Sequence, residues 1–240
     1  MTTLRASLNR IYSRIRNRVS TLYDQILLVP GIATGTRIAH VHFRQRNLTG
    51  HMNQIPMTKA LHLLRSGRAL IVETGSSAHG TDSTRLWARY VELLGGLAFS
   101  VDISPVPSKK LGNLGSLVSL HVDDSVNFLR RFELPDGFQK IDLLFLDSWD
   151  VDLANPQACM DHGRSELLAA MGCLASGSLV LIDDTPQETS LWGQNAKLAE
   201  EYRLRTGLVP GKGSSILKDD ELMSHFEVLH HSYSVLLRHR

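Results

Sequence analysis

The chain reads as an α/β protein: a doubly wound, mostly parallel sheet closed by a C-terminal antiparallel hairpin and preceded by an N-terminal helical extension. Three features predict this. Five short apolar runs alternate with helical stretches between residues 69 and 184. Each run ends on, or just before, an acid. Two strand-like segments then close the chain with almost nothing between them. Apolar strands alternating with helices call for a parallel sheet covered on both faces, and right-handed crossovers make it doubly wound.

Taken in order, Leu4, Leu8, Ile11, Ile15, Val19, Leu22 and Ile26 recur at steps of three and four, one face of a helix that Pro30-Gly31 stops. Residues 31–55 hold Gly, Thr and Asn with a short alternation over Ile38–Phe43, which predicts a linker carrying one strand. Met57–Leu64 predicts a short helix. The strands are expected at Ala69–Glu73, Ala98–Asp102, Val118–Val122, Ile141–Asp147 and Ser178–Asp184. Helices are expected over Thr84–Leu94, just before Phe132, and near 163–174 and 189–205. Phe226–His231 and Tyr233–Arg238 form the closing pair. The division that follows is a basic helical extension with its linker, residues 1–55, and a sheet domain, residues 56–240.

Composition excludes several classes. With 240 residues, 42% hydrophobic and 21% charged, the chain can bury one sizeable core and resembles neither a collagen nor a disordered tract. No apolar stretch reaches the ~18 residues that a membrane-spanning helix needs. The two cysteines, Cys159 and Cys173, fall outside any C-x-x-C pattern, and no secretory leader is legible, so a reduced, cytoplasmic protein is expected. The net charge of +2 hides an asymmetry, because residues 1–70 hold eleven Lys and Arg against the single acid Asp24. The basic helix suits packing on the body, a dimer contact, an anionic membrane surface or a cap over an acidic substrate. A nucleic-acid partner is not expected, since no recognised nucleic-acid module is legible in the chain.

The carboxylates carry the chemistry. Glu73, Asp102, Asp123/Asp124, Asp147 and Asp183/Asp184 all stand at the C-terminal ends of the expected strands. In an open α/β sheet those ends line one crevice, where ligands bind. Acids gathered there repel unless cations or hydroxyl donors balance them, although some of them also suit helix caps. The first turn, Glu73 to Thr84, is glycine-rich, and its spacing matches neither G-x-G-x-x-G nor the Walker pattern. His79 within it reads as structural. Pro210-Gly211-Lys212-Gly213 reads as a mobile loop near the crevice or a plain connecting turn.

Over residues 57–240 these motifs resemble class I S-adenosylmethionine-dependent methyltransferases. Glu73-x-Gly75-x-x-x-x-Gly80 looks like their first motif, and Asp102 matches the acid that binds the ribose hydroxyls. Asp124 and Ser125 fall where the family contacts adenine. The resemblance implies S-adenosylmethionine as cofactor, bound by Glu73, Gly75, Ser76, Gly80, Ser83, Asp102, Asp124 and Ser125. Leu146-Asp147-Ser148-Trp149 and Ile182-Asp183-Asp184 are similar to motifs of metal-dependent O-methyltransferases, the catechol enzyme and bacterial sugar and macrolide enzymes among them. This narrower resemblance implies a divalent cation, magnesium, held by Asp147, Asp183 and Asp184, and a hydroxyl on a small molecule or sugar as acceptor. The catechol enzyme's lysine base is replaced here by Asp150, which leaves Asp150, Asp152 and His162 as alternatives, with Asp147 acting through the metal. A catalytically silent cofactor-binding module and a Rossmann-type oxidoreductase are the competing expectations.

Overall fold

A computed structural model describes residues 24–65, 67–77 and 80–240. Most of the amphipathic basic helix expected from Leu4 onward, and His79, lie outside the described residues; residues 24–27, its last turn, are helical. Two helices, α1 (Gly35–Gln45) and α2 (Gln54–Leu63), precede the sheet. The sheet follows as β1 (Ala69–Thr74), α3 (Ser83–Leu94), β2 (Gly96–Asp102), α4 (Pro105–Leu111), β3 (Val118–Val122), α5 (Ser125–Arg131) and β4 (Leu143–Leu146). Then come α6 (Gln157–Ala170), β5 (Leu179–Ile182), α7 (Ala196–Thr206), α8 (Ser214–Leu217), α9 (Asp220–Ser224), β6 (Phe226–His231) and β7 (Val235–His239). Two 3-10 segments, Met171–Cys173 and Thr189–Asn195, lead into β5 and α7.

The seven strands are ordered β3-β2-β1-β4-β5-β7-β6. The first five are parallel, and β7 runs antiparallel between β5 and β6. This is the doubly wound sheet with a closing hairpin that the apolar runs predict. The chain winds outward from β1 in both directions, so the crevice opens where β1 and β4 part company.

Every residue of β1 is buried, because both of its faces are covered. Ile71 joins Trp87, Tyr90, Phe145 and Leu181 on one face, under α1, α2 and α3. Leu70 and Val72 join Leu144, Leu167, Val180 and Leu237 on the other, under α5, α6, α8 and α9. Among the described residues no helix is long and apolar enough to cross a membrane.

The reading of residues 31–55 as a linker with one strand is corrected. Residues 35–45 form an α-helix whose N-cap, Thr34, accepts the Arg37 N–H through its side chain. Ile38, Ala39, Val41, His42 and Phe43 are all buried. The alternation over Ile38–Phe43 is one of residue types only. His42 is turned inward because its Nε2 pairs with the Thr81 carbonyl oxygen at 2.7 Å, and a buried, satisfied imidazole belongs to the apolar face. Gly35 lets α1 approach α2 closely, since a Cβ there would sit 2.1 Å from the Leu61 carbonyl oxygen.

Phe43 is 0% exposed. Phe43→Ala is therefore expected to cost about 3–5 kcal/mol of unfolding free energy, measured by urea titration; a surface linker would lose almost nothing.

Candidate active site

The site is built by hydrogen bonds that continue the parallel ladder one step past the strand ends. Gly75 N–H donates to the Val101 carbonyl at 2.8 Å, Asp147 N–H to Thr74 at 3.0 Å, and Asp183 N–H to Leu146 at 3.1 Å. Asp123 N–H does the same to Asp102 at 3.0 Å. The residues that follow each apolar run are thus aligned along one edge, in the order in which the strands lie. At the centre Gly75 has φ +81°, and a Cβ on it would meet the Asp147 carbonyl oxygen at 2.3 Å. Only glycine fits there.

Glu73 does not face the crevice. Its carboxylate is fully buried beneath the turn and accepts four hydrogen bonds: from Ser83 Oγ at 2.6 Å, Thr84 Oγ1 at 2.6 Å, Ser100 Oγ at 2.5 Å and Trp87 Nε1 at 2.9 Å. Ser83 is likewise 0% exposed and engaged with Glu73. Both residues hold the start of α3 against the sheet and so shape the turn from below. The turn is pinned from outside as well, where Asp82 pairs with Arg46, the residue after α1, and with Arg85.

Toward β2 and β3 the crevice is polar at its base and apolar on its flanks. Asp102 Oδ2 accepts Ser76 N–H at 3.1 Å and its Oδ1 accepts Ser104 N–H at 2.7 Å, which fixes the carboxylate at the rim with acceptor capacity left over. Ile103, 77% exposed, and Trp149, 48% exposed, present apolar surface on either side. Gly75, Asp124, Ser125, Ser148 and His162 complete this wall. Asp124 also caps α5 through Asn127 N–H at 2.8 Å. His162 Nε2 lies 3.0 Å from Ser125 Oγ and 3.1 Å from Ser148 Oγ, and its ring is packed on Trp149. The adjacent Glu166 carboxylate, at 3.4 Å, holds His162 above the ordinary imidazole range. Asp150 is exposed and lines a neighbouring cleft of about 340 Å³ with Gly75, Ser76, Asp102, Asp147 and Ser148. Gly80, with φ +54° and open space around it, lies on the turn's outer arm.

Toward β5 the acids meet a lysine of the Pro210–Gly213 segment. Lys212 Nζ lies 2.6 Å from Asp147 Oδ1 and 3.2 Å from Asp184 Oδ2, and the residue is 3% exposed. Burial alone depresses its ammonium; the charges of Asp147, Asp184 and Asp183 outweigh that and hold it above the ordinary lysine range. Asp183 Oδ2 accepts Asn53 Nδ2 at 2.8 Å, and its Oδ1 accepts Ser234 Oγ and Asp184 N–H, each at 2.8 Å. Ser234 Oγ is also 2.6 Å from Asn53 Oδ1. Tyr233 OH donates to Asp184 Oδ1 at 2.5 Å. Burial raises the Asp147 and Asp183 carboxyls above the usual carboxylate range; Lys212 pulls both back, while the neighbouring acids push further.

A divalent cation does not fit this arrangement. Magnesium needs oxygens at about 2.0–2.1 Å around an open centre, and the centre between Asp147 and Asp184 is taken by an ammonium group. Both Asp183 oxygens are engaged by protein donors. Among the described residues no group of three or more His, Cys, Asp or Glu side chains is arranged to hold a metal ion. The expected juxtaposition of Asp147, Asp183 and Asp184 is present, with a lysine as its cation. The segment Pro210–Gly213 is correspondingly buried and hydrogen-bonded, and is not the surface loop its composition suggests.

Burial raises Glu73 from the ordinary 4.5 to about 7, against the four hydrogen bonds that lower it. An acid with a higher pKa folded than unfolded binds its proton more tightly in the folded chain. Its penalty is absent below about pH 4.5 and grows to about 3 kcal/mol near pH 7. The wild-type chain is thus expected to lose stability through this group as pH rises across that window. Glu73→Gln should flatten the slope, read from urea midpoints at pH 5 and pH 7.

No protein-family model matches the chain, and no curated protein matches it. Solved structures do. One is the MycE methyltransferase of the mycinamycin biosynthetic pathway in complex with Mg, S-adenosylhomocysteine and mycinamycin VI. It has TM-score 0.57 and 13% identity over 86% of this chain and 54% of that one. A second MycE structure, with Mg and S-adenosylhomocysteine, has TM-score 0.56 and 13% identity over 86% of this chain and 55% of that one. The chain spans about half the length of these proteins. At such identity the likeness is one of fold, and it agrees with the strand order, the closing hairpin and the crevice at β1 and β4: the chain has the fold of class I S-adenosylmethionine-dependent methyltransferases.

Proposed function

We propose that the chain transfers a methyl group from S-adenosylmethionine to a hydroxyl of a small molecule or sugar. The observation that carries this reading is the alignment of Gly75, Asp102 and Asp147 along one sheet edge at the switch point. A glycine at the centre lets the turn after β1 close against the Asp147–Ser148 backbone, and a carboxylate at the rim suits two vicinal hydroxyls. Ile103 and Trp149 supply apolar flanks for a flat base, with Asp124, Ser125 and His162 beside them. MycE, which shares the fold, was captured with S-adenosylhomocysteine and mycinamycin VI, and this supports a small-molecule acceptor.

When bound, the cofactor supplies an electrophilic methyl group on a sulfonium. The chain's own residues supply alignment and proton handling. Asp147 lies beside the crevice centre, about one-fifth exposed, and burial raises its affinity for a proton. It is placed to take the proton of an acceptor hydroxyl as the oxygen becomes nucleophilic. Asp184, similarly exposed, flanks it and orients the acceptor. His162, tied to Ser125 and Ser148, serves the cofactor side of the crevice, and Asp150 the outer rim. Glu73 and Ser83 act by holding the turn.

The first test is calorimetric binding of S-adenosylhomocysteine to the full chain. Binding is expected in the wild type. In Asp102→Ala it should weaken at least about tenfold, since charge-assisted hydrogen bonds contribute about 1.5–3 kcal/mol each. A folded wild-type chain that takes up no S-adenosylhomocysteine overturns the proposal.

A further inference from the structure

We infer that Lys212 is the resident cation of this site: its ammonium occupies the position between Asp147 and Asp184 that a divalent metal would need, so the acceptor-facing carboxylates are ordered without one. The inference deepens the methyltransferase reading and rests on it for the identity of the acceptor side.

Three independent features carry it. The first is contact: Nζ bridges two carboxylates on neighbouring strands, at 2.6 Å and 3.2 Å. The second is confinement, since Lys212 is 3% exposed, so this is not a surface lysine resting on an acid. The third is the backbone that delivers it. Lys212 N–H donates to the Asp184 carbonyl at 3.0 Å, and Gly213 N–H to Thr185 Oγ1 at 2.9 Å. A Cβ at Gly211 would lie 2.6 Å from the Asp184 carbonyl oxygen, and one at Gly213 would lie 2.9 Å from Thr185 Cγ2. On α6, a Cβ at Gly163 would lie 2.6 Å from the Lys212 carbonyl oxygen. Glycine on both sides of the lysine, and a third glycine facing it, allow this segment to press against the residues after β5. Lys212 is therefore tied into the same turn as the acids it neutralises.

The division of labour among the carboxylates follows. Asp183 is satisfied by Asn53, Ser234 and the Asp184 N–H and stays behind. Asp147 and Asp184 each give one oxygen to Lys212 and keep about one-fifth of their surface open. A monovalent, fixed cation leaves this pair net negative. That favours an acceptor that donates hydrogen bonds, a hydroxyl or amine group, over an anionic oxygen that a metal would ligate. Lys212 acts through Asp147 and Asp184 and is in that sense a positioning residue.

The test is Mn²⁺ titration of the full chain, followed by the paramagnetic resonance signal of free Mn²⁺, with S-adenosylhomocysteine calorimetry on the same samples. The wild type is expected to bind no Mn²⁺ that depends on Asp184, and to bind S-adenosylhomocysteine equally with magnesium or chelator. Lys212→Met vacates the centre at similar side-chain length, and is expected to take up Mn²⁺ at concentrations on the order of tenfold below any at which the wild type does, because a like charge has been removed. Adding Asp184→Asn should abolish that gain, which a merely structural lysine would not produce. The inference is overturned if wild type and Lys212→Met bind Mn²⁺ equally and Asp184→Asn weakens both. If Lys212→Met does not fold, the wild type and Asp184→Asn decide alone: Mn²⁺ binding lost in Asp184→Asn overturns the inference, and its absence from both supports it. Loss of S-adenosylhomocysteine binding in folded wild type counts against the methyltransferase reading instead, and leaves the Mn²⁺ comparison standing.

Discussion

Carboxylates set side by side on neighbouring strands repel one another, and burying them costs solvation besides. The parallel ladder imposes this geometry, because it carries Asp147 and Asp183 to adjacent places one step past β4 and β5. What makes it tenable is the set of donors that converges there. Lys212 brings the positive charge, Asn53 and Ser234 hold Asp183, and Tyr233 holds Asp184. These donors come from the segment before the sheet, from the turn before α8 and from the hairpin. The charge balance at the sheet edge thus ties the N-terminal helices, the crossover side and the closing strands into one arrangement.

The two arms of the crevice are organised by different physics. On the β2 and β3 side the acids are open: Asp102 sits at the rim with backbone donors behind it, and Ile103 and Trp149 offer exposed apolar surface. That suits a ligand with a flat base and hydroxyls. On the β5 side the acids are closed in by a buried lysine. Gly75 stands between the two, and its missing side chain lets the turn after β1 lie directly against the backbone of Asp147 and Ser148.

The strands and the acids at their ends were legible because both are local. A run such as Leu143–Leu146, buried on both faces, is apolar throughout, and an acid following it is visible by inspection. The helix at Gly35–Gln45 was not legible because His42, counted as polar, is buried against Thr81; the partner that decides its side is 39 residues away. Lys212 was hidden for a related reason. Pro-Gly-Lys-Gly has the composition of a surface turn, and nothing nearby in sequence distinguishes glycines that permit close packing from glycines that permit bending. Asn53, Tyr233 and Ser234 carry no signal of their own, since each matters only through a carboxylate more than 45 residues distant. Glu73 is the converse case: its place in the sequence matches a ligand-binding acid, while four donors from α3 and β2 enclose it.

The spacing of those donors along the chain also bears on how the protein is made. Asp147 meets its cation 65 residues later, and Asp183 is joined to Asn53 across 130 residues. During synthesis the acids emerge well before Lys212 and before Ser234. A nascent chain that has formed β1 to β5 has brought Asp147, Asp183 and Asp184 together before Lys212, their cation among the described residues, has emerged. Closure of loops this long is itself slow. The final quarter of the chain therefore does more than cap the sheet: it carries Lys212, Tyr233 and Ser234, the donors that hold the acids at the strand ends together.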